Sequence, residues 1–140
     1  MVVHENEHFV VEGCCSCFLP GYLLVRPKLP ATSISDLSPE ALASLGPTLA
    51  LAVGAVEAVI QPERVYICLF CEQAREVHFH IFPRTAWLAS EYYRAYPQDP
   101  EIRGPGLMDW ARRTFCSSGS VPGRDETLQK IRGWVDSTSP

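Results

Sequence analysis

Glu76, His78 and His80 alternate along a short apolar run, "REVHFHIFPRT" (Arg75–Thr85), in a chain with only four histidines. Imidazole combines nucleophilicity, proton transfer and metal ligation near neutral pH. Side chains at i and i+2 of a strand share one face, with about 6.5–7 Å between their backbones. That spacing lets His78 and His80 touch one phosphate group or one metal ion. With Glu76 they also form a two-histidine, one-carboxylate set of the kind that holds zinc or non-haem iron. The plainer alternative is a pair of polar residues on a solvated sheet face.

The six cysteines, Cys14, Cys15, Cys17, Cys68, Cys71 and Cys116, offer a second chemistry. Cys14-x-x-Cys17 and Cys68-x-x-Cys71 look like two halves of a zinc site. However, Cys68 lies in "VYICLF", a strand-like run, where residues three apart point to opposite faces. Buried cysteines commonly act as small apolar groups. Reduced packing thiols in a cytoplasmic protein are therefore the favoured reading, with zinc as the alternative and no cofactor required.

The elements that position the histidines follow from pattern. His8–Glu12 and Tyr22–Pro27 read as strands, joined by Gly13–Gly21, which closes on the turn pair Pro20-Gly21. Their short link predicts antiparallel pairing. Ser38, Pro39 and Glu40 open a helix. Its stripe is Leu42, Leu45, Leu49, Val53, Val56 and Ile60, and Pro62 ends it. Gly46-Pro47 predicts a bend in one helix rather than two elements, because the stripe keeps phase. Arg64–Phe70 and Glu76–Phe82 are a third and a fourth strand, with Pro83 stopping the fourth or marking an edge. Period two turns Val77, Phe79 and Ile81 toward the helix, and Glu76, His78, His80 and Phe82 away from it. From Ala86 the character changes. Tyr92–Gly106 reads as mostly irregular, Leu107–Phe115 as a short helix and Ser117–Gly123 as a flexible link. Arg124–Val135 reads as a helix with Asp125 as a possible cap. Trp87, Tyr92, Tyr93 and Tyr96 are expected to serve core or dimer contact, the alternative being a wall facing a substrate.

The chain has 140 residues, enough for a real core in one ordinary domain, with 46% hydrophobic and 20% charged residues. A net charge of −4 leaves no global basic field for nucleic acid or an anionic membrane. No basic, apolar leader is apparent. The longest apolar candidate, Leu49–Ile60, carries Glu57, so no membrane span is expected.

"VHFHIFPR" (Val77–Arg84) resembles the His-φ-His-φ-His-φ-φ signature of the histidine-triad superfamily of nucleotide hydrolases and transferases. The continuation Pro-Arg is similar to the fragile-histidine-triad, dinucleoside polyphosphate hydrolase branch. "LPGYLLVRPK" (Leu19–Lys28) resembles that family's Pro-Gly-His-x-Leu-Val-x-Pro-Lys strand, and Asp36–Ile60 its long helix. The resemblance runs from about residue 2 to 88. It implies an α+β fold with a histidine-triad-like antiparallel sheet, one long helix on one face and a C-terminal extension. Residues 1–88 would form the domain and 89–140 an extension packing on it. It implies a homodimer, with a nucleotide-type small molecule as partner. It puts the nucleophile on His78, which would attack the α-phosphorus and carry a nucleotidyl group. His80 would hydrogen-bond phosphoryl oxygens and the leaving group. Arg84 would add positive charge, or is a strand-end surface arginine.

Four positions depart from the family pattern. Glu76 stands in the place of the first histidine, to orient an imidazole or bind a cationic part of a substrate, and Tyr22 replaces the histidine of Pro-Gly-His. The ribose-contacting position falls on Cys14. The amide expected after the third strand falls on Phe70 or Cys71, with Gln73 as a substitute. Three readings stand: a nucleotide hydrolase or nucleotidyltransferase, a metal site on Glu76, His78 and His80, and a non-catalytic nucleotide-binding module.

Overall fold

The structure, a computed structural model, describes residues 1–117 and 121–138. Five strands form one antiparallel sheet in the order β1-β2-β3-β5-β4. They are β1 (Val2–Glu5), β2 (Phe9–Gly13), β3 (Leu23–Pro27), β4 (Arg64–Cys68) and β5 (Phe79–Arg84). Four helices follow the chain: α1 (Pro39–Ile60), α2 (Ala86–Ala95), α3 (Gly104–Thr114) and α4 (Arg124–Thr138). The antiparallel α+β architecture with one long helix is the one the sequence predicts, and the strand pair β2–β3 is antiparallel as expected. Strand β1 was not foreseen.

The sheet carries two cores. On one face, Phe9, Val11, Leu23, Val25, Val77, Phe79 and Ile81 pack against Ala52, Ala55 and Val56 of α1 and Leu128, Ile131 and Val135 of α4. Period two therefore sends Val77, Phe79 and Ile81 under the long helix, as read from the sequence. The opposite face is not solvated. Tyr22, Leu24 and Phe82 are buried there beneath Leu88 and Tyr92 of α2 and Leu107, Met108, Trp110 and Ala111 of α3.

Helix α1 is continuous through Pro47, capped by Ser38 Oγ, which accepts from Ala41 N–H at 3.1 Å. Its buried face is Ala41, Thr48, Ala52, Ala55 and Val56, and Leu42 is 42% exposed. The predicted leucine stripe is thus rotated. Small residues lie against the sheet, where a close approach needs short side chains, while Leu45, Leu49 and Val53 flank the contact. By length and composition the 22-residue α1 would suffice to cross a membrane, but here it packs on the sheet.

Pro83 does not end β5. The Arg84 carbonyl accepts from Glu63 N–H at 2.8 Å on the β4 side. The Pro83 nitrogen thus faces the β3 side, where pairing has already stopped at Leu23 opposite Ile81. Helix α2 replaces part of the stretch read as irregular. Thr85 caps it, its hydroxyl accepting from Leu88 N–H at 3.1 Å. Helix α3 starts at Gly104 rather than Leu107, and Asp125 lies in the first turn of α4 rather than at its cap. Of the predicted link, residues 118–120 lie outside the described residues.

Candidate active site

Strand β5 sets His80 between Leu24 of β3 and Cys68 of β4, its direct cross-strand partners. His80 is 2% exposed. Its Nδ1 lies 2.8 Å from Tyr22 Oη. Tyr22 is aimed by the turn Leu19–Tyr22, in which Tyr22 N–H donates to the Leu19 carbonyl at 3.3 Å and Gly21 adopts φ +75°. Proline followed by a left-handed glycine is a type II turn. The buried phenol has His80 as its only hydrogen-bond partner among the described residues. If His80 donated, the phenol proton would have no acceptor, so Tyr22 donates and His80 carries its proton on Nε2. Burial first, then the charges of Arg112 and His78, push the His80 imidazole down to about 4, so it is neutral at pH 7. Burial likewise drives the Tyr22 phenol well above its ordinary range.

His78 stands one residue before β5, half-buried, with its ring centroid 4.8 Å from that of His80. Its Nδ1 lies 2.7 Å from the Glu76 carbonyl oxygen. A carbonyl only accepts, so Nδ1 carries the proton and Nε2 presents a lone pair. The Cys71 thiol donates to the same carbonyl at 3.5 Å. Two neighbouring imidazoles thus offer complementary groups, a bare Nε2 on His78 and an Nε2–H on His80.

Both rings line a cleft of about 1020 Å³ over the second sheet face. Its walls are the loop from Phe70 to Val77, the β2–β3 end of the sheet and the flank of α3. Pro105, Met108, Asp109 and Arg112, three and four residues apart on α3, share that flank.

Phe70, 48% exposed, and Gln73 line the cleft, as do Cys71 and Glu76. Glu76 orients an imidazole, but through its main-chain carbonyl, and its side chain is exposed. Cys14 does not reach the cleft. It is fully buried in the second core, its Sγ 3.5 Å from Ser16 Oγ, and Cys15 and Ser16 line the wall instead. Arg84 is also elsewhere: β5 carries it four residues beyond His80, about 13 Å along the strand. There it binds Glu63 at 3.1 Å and Tyr66 Oη at 3.4 Å.

Among the described residues no three His, Cys, Asp or Glu groups stand close enough to hold a metal ion. The Glu76–His78–His80 ligand set is not assembled: the Glu76 side chain is exposed, and Nε2 of His80 carries the proton because Tyr22 donates to its Nδ1, which leaves only Nε2 of His78 with a free lone pair. The two Cys-x-x-Cys halves fail because Cys14 and Cys17 are buried in the second core while Cys71 sits in the cleft loop. Tyr92 is buried against Trp110 and hydrogen-bonds Asp99 at 2.6 Å, and none of Trp87, Tyr92, Tyr93 and Tyr96 lines the cleft.

Arg112 escaped the sequence reading. Asp109 is bonded to Arg113, its i+4 neighbour, whereas Arg112 has Met108 at i−4 and Cys116 at i+4. An arginine without a carboxylate at either i±4 position was the available cue.

No protein-family model matches the sequence, and no curated protein matches it. Solved structures do. A hypothetical histidine triad nucleotide-binding protein from Sulfolobus tokodaii superposes with a TM-score of 0.66 at 14% identity, covering 97% of this chain and 83% of the other. A zinc-bound histidine triad family protein from Mycobacterium smegmatis gives a TM-score of 0.62 at 18% identity, covering 97% and 84%. The chain has the histidine-triad fold. The diadenosine triphosphate hydrolase of Plasmodium falciparum, solved with cyclomarin A, shares it at a TM-score of 0.64 and 14% identity, covering 99% of this chain and 78% of that one. The likeness spans α2 to α4 as well as the strands, and so extends beyond the signature region.

Proposed function

We propose that this histidine-triad-like chain is a nucleotide hydrolase or nucleotidyltransferase acting at the α-phosphate of a nucleotide conjugate through a nucleotidyl-histidine intermediate. The observation that carries this reading is the tautomer pair, with His78 held by Glu76 and His80 by Tyr22. The His78 Nε2 lone pair attacks the α-phosphorus, and the bond to the leaving-group oxygen breaks with its electron pair going to that oxygen. The His80 Nε2–H donates to a phosphoryl or leaving-group oxygen as charge develops. Water or another acceptor then attacks the phosphorus and releases its proton to solvent, and the P–N bond electrons return to His78. Its Nδ1–H stays on the Glu76 carbonyl throughout. Phe70 offers an aromatic face to a base at the cleft mouth. The six free thiols accord with a cytoplasmic protein.

The test is a screen of dinucleoside polyphosphates, nucleoside phosphoramidates and nucleotide sugars, with acid-free mass spectrometry of the trapped adduct. A nucleotidyl mass on His78, absent in His78→Ala together with turnover, is expected. Unchanged turnover in His78→Ala overturns the reading. Nucleotide binding with no product from any conjugate marks a binding module instead.

A further inference from the structure

Four cations line the histidine cleft: Arg26, Lys28, Arg112 and Arg113. Three are occupied. Arg26 Nε donates to Glu12 at 2.8 Å, Lys28 lies 3.4 Å from Glu5, and Arg113 binds Asp109 at 2.7 Å. Arg112 makes no ion pair and no side-chain hydrogen bond among the described residues, although it is half-buried. A guanidinium keeps its charge, and a partly desolvated cation without a partner is unfavourable until an anion meets it. Its position is fixed from behind, because Leu107, Met108, Trp110 and Ala111 bury the rest of α3 in the second core. Arg112 lines the same cleft as His78 and His80.

We propose that Arg112 is the residue that grips the phosphate charge of the ligand, so that α3, from the C-terminal part of the chain, supplies the second wall of a site for a nucleotide bearing an anionic phosphate. This deepens the reading of His78 and His80 as phosphate-facing and rests on it. A guanidinium can take two phosphate oxygens in a fork. His80 Nε2–H approaches from the sheet and Arg112 from the helix above it. The Pro-Arg arginine of the signature, Arg84, is held by Glu63 and Tyr66 outside the cleft. The cation of this site therefore comes from a different element.

The experiment compares adenosine with AMP by calorimetry on the full chain, using wild type, Arg112→Gln and Arg112→Lys. Loss of a charge-assisted contact predicts AMP affinity about 10- to 100-fold weaker in Arg112→Gln. Adenosine affinity should change less than about twofold, and Arg112→Lys should recover part of the AMP loss. Equal AMP affinity in wild type and Arg112→Gln overturns the proposal, as does an equal loss for adenosine and AMP. A measurement on the wild type alone guards against a variant that does not fold. Phenylglyoxal modification of Arg112, followed by peptide mass spectrometry, should be slowed by AMP and not by adenosine, and an equal rate overturns the proposal. Wild type that binds no AMP overturns both this and the enzymatic reading. Arg112-dependent AMP binding with no adduct on His78 overturns the enzymatic reading alone.

Discussion

The proton between Tyr22 and His80 decides what the buried imidazole can offer to a ligand. Tyr22→Phe removes the donor and leaves Nδ1 without a partner in a dry environment. The imidazole can then move its proton to Nδ1, which withdraws the Nε2–H from the cleft. Turnover of any conjugate found in the screen should fall about tenfold, and urea unfolding should show a loss of about 1–2 kcal/mol. The same residue sets a pH dependence of stability. His80 is pushed from its ordinary 6.5 to about 4 in the folded chain. The unfolded chain therefore binds the proton more readily, so this contribution is complete above pH 6.5 and is lost as pH falls through about 4. The size is roughly 3 kcal/mol. Urea unfolding from pH 7.5 to 4 should show this slope, and His80→Gln should flatten it. A slope of equal size in His80→Gln would assign the acid sensitivity to other groups. Because His80 stays neutral from pH 5 to 8, it should add no limb to the pH profile of turnover in that range.

At the scale of elements, the histidine strand was legible because period two separates core from site without any knowledge of neighbours. Helix α1 was legible in position but not in rotation. Hydropathy favours Leu42, Leu45 and Leu49, whereas contact with the sheet selects Ala41, Ala52 and Ala55 for their small size. Helix α2 was hidden because Tyr92, Tyr93 and Pro97 resemble a loop composition, while its signal was a single cap, Thr85. Cys14 was misplaced because counting back from Pro20-Gly21 finds the position but not the side-chain direction. The turn itself carries a strong prediction. A Cβ on Gly21 would lie 1.8 Å from Ile60 Cδ1, and φ is +75°. Gly21→Ala must therefore strain the backbone and turn the Ile60 side chain aside, for a loss of about 1–2 kcal/mol in chemical denaturation. Because this turn aims Tyr22 at His80, folded Gly21→Ala should also lose turnover. A variant as stable as wild type would show that the turn can shift residue 21 out of the left-handed region without cost.

The second layer over the site face is a property of the whole molecule that no single segment announced. α2 and α3 are weakly apolar by themselves, and only their contact with Tyr22, Leu24 and Phe82 makes them a roof. The sheet they cover has two edges, and these differ. β1 is four residues long, its register breaks between Val2 and His4, and it ends in Glu5, all features that discourage further pairing. β4 pairs with β5 without interruption on one side and, among the described residues, is unpaired on the other. It carries Ile67 at 49% exposure and runs on to Leu69 at 37%. A regular, apolar, open edge of this kind favours pairing with the same edge of a second copy about a two-fold axis. The homodimer implied by the resemblance would therefore join its sheets through β4, close to Phe70 and the cleft of each protomer. Sedimentation velocity at micromolar concentration should give twice the monomer mass. Ile67→Lys places a charge on that edge and should give a monomer with unchanged thermal stability of the protomer fold. A wild-type chain that sediments as a monomer at 100 micromolar rules this assembly out. A dimer that persists in Ile67→Lys moves the contact to another surface, and the exposed Leu42 of α1 is then the next position to charge.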